Sequence, residues 1–273
     1  MSLKEFIPPV VVDFIKKSRK VIKYDTYEEA LAQSSSNAYE NEELCNMIAD
    51  KTLAYIDTLQ RKPLPLKPAS VYMAFTLNYV VNSLDKRNIT VLDFGGACGA
   101  HYFEARNMIP DEIKLNWIVV ETEQMVKSAI SRGLAKGELR FASRIEDVTD
   151  AVDFVHSSST LQYVPAPIDF LNRLIACNAS AMLFNRMLFN KHDGDIITVQ
   201  RSLLSANGPG SLPPGYADRE IRYPHTAIAI GKVMAAMQAG GYDCFSEFEE
   251  TSGKISLGKE DVLAKGLLFL QHS

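Results

Sequence analysis

The sequence predicts an α/β fold, a doubly wound, mostly parallel sheet of seven strands preceded by an N-terminal helical cap, and three observations lead there. From Ile89 onward, short apolar runs alternate with amphipathic stretches, as in strands covered on both faces and joined by crossover helices. Before that point the apolar residues recur at helical intervals. The chain has 273 residues, 47% of them hydrophobic and 23% charged, enough to bury a sizeable core.

The elements follow in order. Asp25 followed by Glu28 has the spacing of a capping box, and Leu44, Met47, Ile48, Thr52, Tyr55 and Leu59 line one helical face. Pro63, Pro65 and Pro68 remove backbone donors and disfavour helix before them, so residues 61–69 read as a linker. The cap and linker are thus residues 1–69, and the sheet domain is 70–273, opening with a helix over Ser70–Leu84. Strands are predicted at Ile89–Phe94, Leu115–Val120, Glu138–Phe141, Val152–Ser157, Ala181–Arg186, Tyr242–Phe248 and Leu267–Gln271, with an apolar helix over Thr226–Ala239. One connection, 187–225, is long and rich in Gly and Pro yet holds a strand-like run, Ile196–Val199. Long connections of this kind are often functional, and this one follows the fifth strand at the carboxyl edge, so it is expected to form a substrate lid.

Charge and composition exclude several classes. A net charge of -4 gives no sequence-wide positive field for nucleic acid or an anionic membrane. Lys16, Lys17, Arg19, Lys20 and Lys23 are read as a solvated helix face. Cys45, Cys98, Cys177 and Cys244 are far apart, which suggests reduced, buried thiols rather than a zinc site or disulfide framework, and no metal is expected. No run approaches the ~20 apolar residues of a membrane span. Met1–Pro9 lacks the pattern of an export signal, so a cytoplasmic location is expected.

The segment Val91-Leu92-Asp93-Phe94-Gly95-Gly96-Ala97-Cys98-Gly99 is a strand running into a glycine-rich turn and then a helix. Such a turn lets backbone approach a ligand closely. A dinucleotide fingerprint needs glycine at three positions, and the first of these is Phe94, so an NAD(P)-dependent oxidoreductase is disfavoured. Asp93 offers a carboxylate to a cationic amino group, directly or through water. Trp117-Ile118-Val119-Val120-Glu121 ends in an acid just over twenty residues past the turn, where a carboxylate accepts two ribose hydroxyls.

These residues resemble the class I S-adenosylmethionine-dependent methyltransferases, in which a D-x-G-x-G-x-G turn and an acid after the second strand hold the cofactor on a Rossmann-like domain. The middle glycine of that pattern is Ala97 here. Asp153–Val164 is similar to their fourth-strand segment, and Gly240-Gly241-Tyr242 to the turn before their sixth strand. More narrowly, Asp93-Phe94-Gly95-Gly96, Leu161-Gln162-Tyr163, Asn185-Arg186 and Thr198-Val199-Gln200 resemble a bacterial methyltransferase family described mainly from sequence, some of whose members are linked to surface-polysaccharide synthesis. The resemblance implies that Asp93, Gly95, Gly96, Ala97 and Gly99 surround the methionine moiety and that Glu121 and Thr122 meet the ribose. Ile145 would face adenine, with His156, Ser157, Ser158 and Leu161 along the cofactor; core packing suits Ile145 equally.

Methyl transfer from a sulfonium is an in-line displacement, so the protein mainly aligns the nucleophile. Where the acceptor is a hydroxyl, a base helps, and His156 is the first candidate, with Tyr163 and Arg186 beside it. His156 also suits a satisfied strand histidine. Gln162, Tyr163, Arg222, Tyr223 and His225 are candidates for a small-molecule or sugar acceptor, and Arg186 and Arg222 for an anionic one; His192 also flanks the lid. Surface pairing is the commoner fate of such arginines. The resemblance implies a methyltransferase that uses S-adenosylmethionine and releases S-adenosylhomocysteine. A binding or scaffold module without transfer activity remains the alternative, permitted by Ala97 and the lack of an obvious base. Acceptor and oligomeric state are not legible.

Overall fold

A computed structural model describes residues 21–35, 40–257 and 260–272. The basic run Lys16–Lys20 lies outside them. Among the described residues the cap holds α1 (Tyr27–Ala32) and α2 (Glu42–Leu59). The α1 start is one residue later than the spacing suggests: Thr26 Oγ1 accepts from Glu29 N at 3.2 Å, and Glu29 Oε2 accepts from Asp25 N at 3.1 Å. The capping box is therefore Thr26/Glu29 rather than Asp25/Glu28. Asn41 caps α2, whose first turn carries Glu42 and Glu43 against the helix dipole. α3 (Pro68–Leu84) begins inside the expected linker, because Pro68 occupies a first-turn position where no donor is needed.

Among the described residues the sheet has nine strands, two more than expected. β1 (Asn88–Phe94), β2 (Lys114–Val120), β3 (Leu139–Ala142), β4 (Phe154–Ser158) and β5 (Ala181–Asn190) are parallel in the order β3-β2-β1-β4-β5. The order reverses after β1, which makes the sheet Rossmann-like and places its switch point between β1 and β4. β9 (Glu260–Gln271) pairs antiparallel with β5, and β8 (Tyr242–Leu257) pairs antiparallel with β9. The two added strands, β6 (Ile196–Leu203) and β7 (Glu220–Ala229), form an antiparallel hairpin within and just beyond the segment expected to be a lid. Residues 226–229, expected as helix, finish β7; the helix α7 is Ile230–Ala239. β-Branched Ile221, Thr226 and Ile228 suit the strand.

Alternation along β1 sends Leu92 to one face and Val91 to the other. Leu92 joins Val155, Met182 and Phe184 beneath α6 (Pro167–Ile175) and α7. Val91 joins Trp117, Phe154 and Leu183 beneath α3 and α4 (Ala100–Arg106). α2 packs on α5 (Glu123–Ser131) and on Leu204, Ile221 and Tyr223 of the hairpin region. A buried lysine adds to that junction: Lys51 Nζ donates to the carbonyls of Ser205 and Asn207 at 2.8 and 2.6 Å.

The pairing of β5 places the hairpin. Its first half has β4 on one edge and β9 on the other; past Met187 the β9 edge continues while Phe189 and Asn190 pair with Ile228 and Ala229 of β7. The hairpin therefore stands beyond the carboxyl end of β4. Cys45 and Cys98 are buried as expected, whereas Cys244 is exposed on β8, near the sheet margin. No helix among the described residues is long and apolar enough to cross a membrane.

Candidate functional site

A cavity of about 1550 Å³ opens at the carboxyl edge of the sheet, bounded by the cap, the turn after β1, the ends of β2, β4 and β5, and the hairpin. That exceeds the ~300–1,000 Å³ of a typical single-ligand pocket.

The turn after β1 supplies one wall. Gly95 has φ +71°, and a Cβ there would stand 2.0 Å from Thr160 Oγ1, so only glycine fits. Ala97 also holds a left-handed conformation, φ +49°, despite its methyl group. Its N–H donates to Glu121 Oε1 at 3.1 Å, and Thr122 N donates to Oε2 at 2.9 Å. β1 and β2 are parallel neighbours with Phe94 opposite Val120, which is why the turn and Glu121 come to one level of one cavity. Burial pushes the Glu121 pKa up, and the two backbone N–H groups oppose that shift. Thr122 caps α5, accepting from Met125 N at 3.4 Å, and Ile145 contributes an apolar edge to the same cavity.

Side chains make a second, adjoining wall. Asp93 is fully buried, and its carboxylate lies 3.1 Å from His101 Nδ1, 2.9 Å from His156 Nδ1 and 3.2 Å from Trp117 Nε1. Strand geometry explains the cluster. Asp93 is opposite His156 in the β1–β4 register, Trp117 precedes its β2 partner Val119 by two residues on the same face, and His101 is in the first turn of the helix covering that face. Burial alone would raise the Asp93 pKa, but the charges and hydrogen bonds of His101 and His156 outweigh it and hold the carboxyl well below the usual range. The donor atoms of these three residues lie within 4.8 Å of one another, near enough for a cation, yet both Nδ1 groups are already turned to the carboxylate.

His156 has both ring nitrogens engaged, since Nε2 accepts from Asn185 Nδ2 at 3.3 Å, and burial pulls its pKa down. His101 differs: its side chain is 21% exposed, on the cavity wall. Burial would lower its pKa as well, but the Asp93 charge and hydrogen bond, aided by Glu104, overcome that and the Arg186 repulsion, so the net shift is upward. Arg186 has φ +52° at an interruption in the β5–β9 pairing, and its Nε donates to Ser158 Oγ at 3.0 Å.

Of the expected residues, Gly95, Gly96, Ala97, Glu121, Thr122, Ile145, His156, Ser158, Tyr163, Arg186 and Tyr223 border the cavity, whereas Asp93, Gly99, Ser157, Leu161, Gln162, Arg222 and His225 do not. Asp93 is fully buried behind the histidines. Gly99 starts α4 against Leu139, Ser157 is fully buried in β4, and Leu161 belongs to the core. Gln162 is used within the fold, its Oε1 accepting from Leu188 N at 2.8 Å. Arg222 is exposed and pairs with Glu220. His225 is buried edge-on to Tyr163, and burial pulls its pKa down to about 4. Tyr163 donates to Gln200 Oε1 at 3.0 Å, tying the β4 side to the hairpin, and Tyr223 donates to Ser202 Oγ at 2.7 Å across the hairpin's own two strands. No site role was legible in the sequence for His101, Ser70 or Glu104, though a histidine stands two residues past Gly99, and Asn185 stood out only as part of the Asn185-Arg186 motif.

No protein-family model and no curated protein sequence matches the chain. Its backbone is similar to that of an S-adenosylmethionine-dependent methyltransferase from Clostridium acetobutylicum, with 15% identity, 82% of this chain and 99% of that chain covered, and a TM-score of 0.46. It is likewise similar to the CcbJ methyltransferase from Streptomyces caelestis, with 10% identity, 84% and 99% covered, and a TM-score of 0.48. A third similar structure is the sugar N-methyltransferase KedS8 from a Streptoalloteichus species, with 11% identity, 73% and 87% covered, and a TM-score of 0.45.

Proposed function

We propose that the chain is a methyltransferase that uses S-adenosylmethionine to methylate an oxygen or nitrogen of a small-molecule or sugar acceptor. One observation carries this reading: the Gly95–Ala97 turn and the Glu121 carboxylate share one cavity, with Ala97 N–H fixing that carboxylate. The donor set fits the group. Each Glu121 oxygen accepts one backbone N–H, which leaves lone pairs for two vicinal hydroxyls. Gly95 and Gly96 present backbone to an amino-acid moiety, and Ile145 offers apolar surface to a base. Bound there, S-adenosylmethionine supplies a methyl group on an electron-poor sulfonium.

The rest is positioning by this chain's residues. Tyr163, Tyr223 and Arg186 border the part of the cavity assigned to the acceptor, and the hairpin acts as the lid that keeps water out. His156, with both nitrogens engaged, serves as a holder of Asp93, which favours the satisfied strand histidine of the two readings the sequence offered.

Calorimetry with S-adenosylhomocysteine tests the reading. Wild type is expected to bind at micromolar concentration, and Glu121→Ala to lose about 10- to 100-fold, the range for hydrogen bonds to a charged group. No binding by wild type at millimolar ligand, or equal affinity in the variant, removes the assignment.

A further inference from the structure

His101 and His156 both border the cavity with their rings backed by the buried Asp93 carboxylate, but His156 has its second nitrogen engaged by Asn185. His101 Nδ1 is turned to Asp93 at 3.1 Å, and its Nε2 has no partner among the described residues. We infer that His101 is the base that takes the proton from the acceptor, that the acceptor is a hydroxyl, and that Asp93 fixes the ring in the tautomer that makes this possible. The inference rests on the methyl-transfer reading above.

The logic is that of a carboxylate-backed imidazole. An ionised Asp93 accepts only from Nδ1–H, so the neutral ring keeps its lone pair on Nε2, the nitrogen left without a partner among the described residues. As the bond from the acceptor oxygen to the methyl carbon forms, the carbon–sulfur bond breaks and its electron pair stays on sulfur. The hydroxyl proton passes to His101 Nε2. The resulting imidazolium is stabilised by the Asp93 charge and returns its proton to solvent through the cavity mouth. A neutral amine needs no such partner, because it is already nucleophilic and sheds its proton after transfer; a hydroxyl gains most from a base. Asn185 supports a polar ligand here, since it is fully buried on the same wall and its Oδ1 has no partner among the described residues.

The charged and titratable side chains facing His101 are Asp93 from β1, His156 from β4, Glu104 from its own helix and Arg186 from β5. Asp93 and Glu104 raise its pKa and Arg186 lowers it, with the net above the ordinary 6.5. The base is the neutral form, so transfer rises with pH through a pKa above 6.5.

The experiment uses the full chain, methyl-labelled S-adenosylmethionine and a panel of simple phenols and sugars beside matched amines. The expected result is label on a hydroxyl, a loss of about 10²–10⁴-fold in His101→Gln, and S-adenosylhomocysteine affinity within about threefold of wild type. Asp93→Asn should move the acid limb of the pH profile downward. Should Asp93→Asn fail to fold, nitrogen NMR shifts of wild-type His101 report the tautomer, with Nδ1–H expected. The inference is overturned if label reaches only amines or no acceptor, if His101→Gln keeps its rate, if that variant loses tenfold in S-adenosylhomocysteine affinity and so marks an anchor for the cofactor, or if the tautomer is Nε2–H. Failure of Glu121→Ala to weaken binding removes the cofactor reading instead, a separate result from any of these.

Discussion

The two walls of the cavity are built from different material. On the β1–β2 side the contacts are backbone groups fixed by one turn, with Glu121 held by the N–H groups of Ala97 and Thr122. In the adjoining wall they are side chains from β1, β2, β4 and α4, joined through one buried carboxylate. A backbone wall depends on local conformation and tolerates change in most side chains around it; a side-chain wall depends on every member. The largest expected effect follows from that difference. Asp93→Ala leaves two histidines and the Trp117 N–H without their acceptor, and should cost about 3–5 kcal/mol in urea unfolding. A loss below about 1 kcal/mol would show that the wall does not depend on its hub.

That contrast also explains what the sequence disclosed. The turn was legible because its chemistry is local: Gly95 and Gly96 follow an apolar strand directly, and the distance to Glu121 is set by one helix and one strand. The five parallel strands were legible for the same reason. The Asp93 cluster was not, because it needs the β1–β4 register and the placement of α4 over one face before His101, His156 and Trp117 become neighbours. Asp93 itself was picked out, but as a ligand-facing group; alternation along β1 turns it inward to the α4 side. The hairpin was half seen. Ile196–Val199 read as strand, but β7 was obscured by the Gly- and Pro-rich stretch before it and by the apolar helix that follows without a break at Ala229.

Acidity sharpens the comparison further by probing side chains and sparing the backbone. His225, buried beside Tyr163, has its pKa pulled down to about 4 from 6.5. A histidine depressed by folding contributes stability that is complete above 6.5 and lost as pH falls towards 4, because the unfolded chain takes up a proton the folded chain refuses. At pH 5 the loss relative to pH 7 should be roughly 2 kcal/mol. His156 is shifted in the same direction and adds to it. Urea unfolding of His225→Gln at the two pH values should show a shallower dependence. An unchanged slope would mean that the Tyr163–His225 contact opens to water.

The smallest effect is expected at Ala97, and it isolates the backbone wall. Its left-handed conformation, φ +49°, costs a non-glycine residue about 1–2 kcal/mol, which Ala97→Gly would relieve. Glycine also gives the unfolded chain more freedom, worth about 0.4–1 kcal/mol in the opposite direction. The two nearly cancel, so stability should change by less than about 1 kcal/mol. The group used at this position is the N–H donated to Glu121, which glycine keeps, so S-adenosylhomocysteine affinity should stay within about threefold. A tenfold weakening by this one methyl group would mean that the ligand rests on the Ala97 side chain, and the division between a wall of backbone and a wall of side chains would fail at the residue where it is simplest.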